Sequence, residues 1–263
     1  MGTVLLAVTD VAGWCIARFP PVIAQISSRM LAFSLERIGP GRNAFRSSLA
    51  ACFPDRDLDW QTRIHRAHLQ RRLWGIFELI ESLWAGPARV TARVHIVGWP
   101  QLVALQRQGV PVILLAGHFI GLPLAVRALA ERVPLRVVAR MFRHRLFEKV
   151  FARLGQRTGG GLIDGADGRA ICRSLMQGET ILILADYGIA GASHSAASHA
   201  VSRLAHRSGA VVLPLHYHRH GKAHQLYVGT PLPLAGLTAE ALQSLYTAWI
   251  QESPAEYLWP RRP

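Results

Sequence analysis

The sequence predicts an α/β fold: a mostly parallel central sheet flanked by helices, preceded by an apolar helical membrane anchor. Short apolar runs such as Val112–Ala116, Ile181–Ala185 and Val211–Leu215 alternate with stretches of helical periodicity, the pattern of a layered α/β domain. The 263 residues suffice for one large core and show no internal repeat or low-complexity tract, so a single domain is expected over 39–263. Residues 1–38 are apolar and broken by Pro20-Pro21 into two short stretches, as in a segment that rests in a membrane.

Val4–Ala17 and Val22–Leu35 form that N-terminal segment, and neither reaches the 18 apolar residues of a clean transmembrane span. No basic leader or small-residue cleavage site marks a signal peptide. Gly39-Pro40-Gly41 breaks the chain before a short helix over 42–52, which Phe53-Pro54-Asp55 ends. A long helix follows over Leu58–Trp84, with Leu69, Leu73, Ile76, Phe77, Ile80 and Leu83 recurring at three and four. Val94–Val97 is a strand, Leu102–Gln108 a helix, and Gly109 ends it before the strand Val112–Ala116. Helices are expected over Leu122–Arg132, Arg145–Leu154, Asp167–Met176 and Ser195–Arg207. Strands fall at Leu135–Ala139, Leu162–Ile163, Ile181–Ala185, Val211–Leu215 and Leu226–Val228, with Gly159-Gly160-Gly161 as a turn. Thr238 caps the last helix, Ala239–Glu252, with Glu240 in its first turn.

The formal net charge is +14, and of the 30 basic residues only Lys149 and Lys222 are lysines. Such a chain suits an anionic membrane, an acidic carrier protein or nucleic acid. Its arginines are scattered and no recognition-helix or RNA-binding motif occurs, which argues against nucleic acid. Three distant cysteines, Cys15, Cys52 and Cys172, show neither metal spacing nor a disulfide framework. His216, His218, His220 and His224 cluster late in the chain. No carboxylate or cysteine joins them nearby, so they read as a polar, solvated strand end rather than a metal site.

His118 directly follows the apolar strand Val112–Ala116 and Gly117, which places an imidazole at the rim of the sheet, where α/β folds hold reactive groups. A neutral imidazole there can take a proton from a hydroxyl. Phe119 is placed to shield one face of its ring.

Several further pieces stand in a fixed order. They are Arg46-Ser47-Ser48-Leu49, Cys52-Phe53-Pro54-Asp55, and Glu78 with Glu81 on the long helix. Gly117-His118-Phe119, Arg140 and Asp186-Tyr187-Gly188 come next. Ser202-Arg203-Leu204-Ala205, Ser208-Gly209-Ala210 and Glu256-Tyr257-Leu258-Trp259 complete the series. In order and spacing this constellation resembles the late acyltransferases of lipid A biosynthesis, the lauroyl/myristoyl branch of the lysophospholipid acyltransferase superfamily. The resemblance covers most of the chain. It implies an acyltransferase-like fold and transfer of a fatty acyl group from acyl carrier protein to a hydroxyl of a lipid acceptor, a lipid A precursor or a related lipid. It further implies a place at the cytoplasmic face of the inner membrane, with no metal or organic cofactor.

By the same resemblance His118 is the general base. Arg140 matches a family arginine, and Arg157 stands at family spacing beyond it. Either supports an oxyanion or binds phosphate, unless both are ordinary surface arginines. Asp186, Phe119, Gly121, Glu78 and Glu81 are the further substrate-binding candidates, with an ion pair to an arginine as the alternative role for the two glutamates.

The chain departs from the family at one decisive place. The family motif sets an acid five residues after the histidine, and here that residue is Pro123. Losing the orienting carboxylate of a serine-protease triad costs roughly 10⁴ in rate. Proline does suit the first turn of a helix. Three outcomes are open: Glu78, Glu81 or Asp186 reaches His118 in space, a substrate group serves instead, or the chain is an inactive lipid-binding relative. The segment Ile189–Ser198 is rich in small residues and short for the family, and the terminal Trp259-Pro260-Arg261-Arg262 lacks the family's histidine.

Overall fold

The structure is a computed structural model that describes residues 11–38, 42–139, 159–186 and 194–259. Its strands are β1 (Val94–Val97), β2 (Val112–Ala116), β3 (Leu135–Ala139), β4 (Gly159–Asp164), β5 (Thr180–Leu184), β6 (Val211–His220) and β7 (Ala223–Val228). They form one sheet in the order β1-β7-β6-β2-β5-β3-β4. All neighbours are parallel except the β6–β7 hairpin. The central strand β2 is buried along its whole length, as expected when helices cover both faces of a parallel sheet. The α/β class and mostly parallel sheet are therefore as the sequence predicts.

The helices are α1 (Pro21–Ile38), α2 (Arg42–Cys52), α3 (Leu58–Trp84), α4 (Pro87–Ala92), α5 (Trp99–Arg107), α6 (Leu122–Ala130), α7 (Gly168–Met176), α8 (His194–Ser208) and α9 (Ala239–Glu252). Asp57, Asp167 and Thr238 cap α3, α7 and α9 through their side chains. Helix α4 has no counterpart in the sequence reading. Its six residues are too few for periodicity, and only Pro87 at its start signals it. The expected helix over Arg145–Leu154 lies outside the described residues. Strand β4 begins at Gly159, where a turn is expected, because pairing with β3 overrides the low strand preference of glycine. Strand β6 continues five residues past Leu215, because β7 folds back beside it.

Helix α3 has the expected bounds, and of its apolar stripe Leu83 is buried and Leu69, Leu73, Phe77 and Ile80 part-buried, but it also buries polar residues that the spacing does not reveal. Its buried residues include Gln61, His65, His68, Trp74, Glu78 and Glu81, whereas Ile76 is exposed. Phe77 lines a crevice shared with Ile16, Ala17, Phe19 and Ala24, and α1 packs along α3 there. Helix α1 itself buries small residues, Ala24, Ser28 and Ala32, one turn apart. Its large apolar residues Val22, Ile26, Met30 and Phe33 lie outside, with Met30 at 69% exposure. No helix among the described residues is long and apolar enough to cross a membrane.

Burial sets a pH dependence. His68 is held neutral because burial, aided by the charges of Arg72 and His65, lowers its pKa to about 3 despite its bond to the Ala255 carbonyl. Burial and the neighbouring His218 bring His216 to about 4. Glu78 moves to about 2: burial opposes its charge, but hydrogen bonds and charges from Arg219 and His224 win. Below an ordinary histidine value of 6.5 the unfolded chain therefore binds protons at His68 and His216 that the folded chain refuses. Below 4.5 the same holds at Glu78. All three shifts make the unfolded state the greater proton binder, so stability falls as pH falls from 6.5 toward 3. Urea midpoints measured down this range are expected to drop steadily, and His68→Gln is expected to flatten the part above 4.5. A constant midpoint would contradict the assignment.

Candidate active site

His118 and Asp186 meet because of strand register. Ala116 of β2 pairs with Leu184 of β5, so the residues two positions beyond each leave the sheet side by side. His118 Nδ1 lies 2.5 Å from Asp186 Oδ1, and the His118 backbone N–H donates to Asp186 Oδ2 at 2.7 Å. Asp186 is 1% exposed at its side chain and His118 is 17% exposed. A carboxylate only accepts, so Nδ1 carries the proton, and Nε2 is the ring nitrogen that Asp186 does not engage. Tyr246 of α9 packs beside the pair and donates its hydroxyl to the Ala116 carbonyl at 3.3 Å. Burial and the Asp186 charge hold the Tyr246 hydroxyl well above its ordinary pKa, so it stays a neutral donor.

Pro123 sits in the first turn of α6, where its missing N–H is no loss. A carboxylate from a neighbouring strand thus stands on the imidazole although the residue five positions on is proline.

The other sequence candidates divide. Phe119 is 4% exposed and wedged among His216, Tyr217 and Tyr257, with ring centroids 5.7 to 6.1 Å away. It is a core residue, which differs from the expected shielding and substrate contact, because the loop turns inward after His118. Gly121 precedes α6 and meets Tyr217 Oη and Arg219 so closely that no Cβ would fit. Glu78 and Glu81 are buried and held by arginines: Arg219 grips both oxygens of Glu78 at 2.5 and 2.6 Å, Arg89 holds Glu81 at 2.9 Å, and Arg93 bonds Glu81 as well. Both carboxylates are taken up by the ion-pair alternative, and neither lies on His118. Arg140 and Arg157 lie outside the described residues.

The histidine cluster divides: His220 is exposed at the strand end, as expected, and His216 and His218 are part-buried and line an open pocket, whereas His224 is buried. His216 stacks on Trp249 with centroids 4.8 Å apart, and His218 Nδ1 lies 3.1 Å from the Ser253 hydroxyl. His224 is fully buried between the Tyr217 hydroxyl and Glu78. His216 and His218 meet α9 and its end because β6 runs on past Leu215, and His224 is buried because β7 folds back toward α3. Among the described residues no group of side chains has the arrangement of a metal site. Sequence reasoning missed Arg219, a buried cation over the Trp74 ring that joins Glu78 to Glu256. Its only signal was alternation with His218 and His220 on the strand.

No curated protein matches this chain. Residues 4–262 match the family model described as bacterial lipid A biosynthesis acyltransferase. With nearly its whole length matched, the chain belongs to the bacterial lipid A biosynthesis acyltransferase family.

Proposed function

We propose that this protein transfers a fatty acyl group from an acyl carrier protein thioester to a hydroxyl of a lipid acceptor, a lipid A precursor or related lipid. His118 is the general base and Asp186 its orienting carboxylate. The observation that carries this reading is the 2.5 Å contact between His118 Nδ1 and Asp186 Oδ1. Asp186 fixes the tautomer that leaves the lone pair on Nε2. That nitrogen takes the proton of the acceptor hydroxyl as its oxygen attacks the thioester carbonyl carbon. The tetrahedral oxyanion collapses, the C–S bond breaks, and the imidazolium returns the proton to the departing sulfur. Asp186 stabilises the imidazolium between these steps. Arg140 and Arg157 are the candidates to support the oxyanion or bind substrate phosphate, either role being open to each.

An inactive relative was the alternative raised by Pro123. Asp186 contacts His118 Nδ1, the contact a motif acid would make, which favours the active reading. The test is incubation of the protein with labelled acyl carrier protein thioesters and membrane lipid extract, beside His118→Ala. Transfer by the wild type and a loss of roughly 10³-fold or more in the variant are expected. No transfer from the wild type would overturn the reading.

The reading includes a site of action at the cytoplasmic face of the inner membrane. Contact with a membrane surface is supported by the outward row Val22, Ile26, Met30 and Phe33 on a helix whose buried side chains, among those described, are the small Ala24, Ser28 and Ala32, in a chain of net charge +14. The cytoplasmic face rests on the family resemblance alone. Replacing Val22, Ile26 and Met30 by Asp is expected to abolish flotation with anionic phospholipid vesicles while leaving the fold intact. Undiminished flotation would contradict the surface assignment.

A further inference from the structure

The loop that carries His118 is built into its surroundings from three sides. On one side, Gly75 of α3 lets Ile120 come so close that a Cβ at Gly75 would lie 2.3 Å from Ile120 Cγ2. On the second, Gly121 lies against Tyr217 Oη and the Arg219 guanidinium. On the third, the strap 254–259 runs antiparallel to 118–120. Leu258 N–H donates to the His118 carbonyl at 2.7 Å, Ile120 N–H donates to the Glu256 carbonyl at 2.9 Å, and Tyr257 bridges Phe119. The backbone on both sides of His118 is therefore fixed: its N–H by Asp186, its carbonyl by the strap.

The strap has its own anchors. His68 Nδ1–H donates to the Ala255 carbonyl at 3.1 Å. Arg219 Nε donates to Glu256 Oε1 at 2.6 Å, and Arg71 Nε stands 3.1 Å from the same oxygen. Arg219 also grips Glu78, so one buried guanidinium ties α3, the strap and the Gly121 turn together. Glu256 is 5% exposed, yet its other oxygen, Oε2, is buried without a hydrogen-bond partner among the described residues. A half-satisfied buried carboxylate is a poor device for stability, and an apolar side chain would fasten a strap at lower cost. What the carboxylate adds is direction, because the Arg219 fork sets where Glu256, and hence its carbonyl, must lie.

We infer that Glu256 is a positioning residue for His118, acting through the strap 254–259 to hold the imidazole on Asp186. This rests on the reading of His118 as the base. Glu256 touches no reacting atom. Its removal leaves Arg219 paired with Glu78, so the fold is expected to survive where Arg219 variants would lose it.

The experiment compares Glu256→Ala, Glu256→Gln and the comparator Glu179→Gln, which breaks the Arg136 ion pair at the start of β5. Each is measured for kcat and KM with the acyl carrier protein thioester, for urea stability, and for the far-downfield proton resonance of the His118 Nδ1–H. Asp186→Asn identifies that resonance by abolishing it. Glu256→Ala is expected to lower kcat roughly 10- to 100-fold, KM staying within about twofold, and to shift or broaden the resonance. Glu256→Gln, whose amide oxygen still accepts from Arg219, is expected to recover most of the rate and the resonance. Glu179→Gln is expected to lose stability alone. A folded Glu256→Ala protein with wild-type kcat and an unmoved resonance would overturn the inference, as would a rate loss that merely follows the unfolded fraction. Should the wild type transfer no acyl group, the functional reading fails, and the resonance alone decides whether Glu256 positions His118.

Discussion

Asp186→Asn is expected to reduce acyl transfer by about 10²- to 10⁴-fold with little change in substrate KM. In serine proteases the equivalent Asp→Asn change leaves geometry intact but selects the wrong tautomer, at a cost of about 10⁴. The same reasoning holds here because Asp186 accepts from both His118 Nδ1–H and the His118 backbone N–H. An asparagine can turn its oxygen toward only one of them. If its NH₂ faces Nδ1, the ring must carry its proton on Nε2, and the base is lost. The change is nearly isosteric at a site 1% exposed, so the fold should persist. Steady-state kinetics beside a circular dichroism spectrum checks it. A variant within threefold of wild type would remove Asp186 from the chemistry and restore the significance of Pro123.

Arg219→Ala is expected to be the most destabilising single truncation among the charged residues described, by about 3–5 kcal/mol. Its side chain is 1% exposed and makes three bonds to two carboxylates, Glu78 and Glu256. Removing it strands the Glu78 carboxylate, 2% exposed, with only His224 at 3.2 Å and Arg93 at 3.5 Å. A buried charge left partly unpaired is far more costly than the pair was worth. For a domain of this size the loss corresponds to a fall in Tm of roughly 10 °C. Arg219→Lys should recover little, because an ammonium cannot present the planar fork that meets Glu78 bidentately while also reaching Glu256. Calorimetry decides, and a Tm within about 2 °C of wild type would show that the network is not a stabilising element.

Strand ends were legible in the sequence, but their neighbours were not. Val112–Ala116 and the run ending at Ala185 both read as strands, and both His118 and Asp186 stood just past them. A parallel sheet gathers its strand ends on one edge, so any pair of such residues could meet. Which strand lies next to β2 depends on crossovers that periodicity does not encode, and three carboxylates therefore stayed open. The register Ala116–Leu184 selects one of them. On α3 the periodicity gave the helix with its bounds, but not the polar residues it buries. Hydrophobic spacing finds the apolar stripe, while the ion network lies on residues that such spacing does not mark. Glu78 was recognisable as a residue in need of a partner, but that partner stands 141 residues away among many arginines. Phe119 was misread because a residue beside a reactive histidine can point into the core as readily as into the cleft.

If His118 and Asp186 act as one catalytic unit, removing both costs no more than removing the histidine alone. The most direct measurement is therefore the acyl-transfer rate of His118→Ala, Asp186→Asn and the double variant under identical thioester and lipid. The expected result is a double variant no slower than His118→Ala. Losses that multiply would contradict the pairing and make Asp186 an independent contributor.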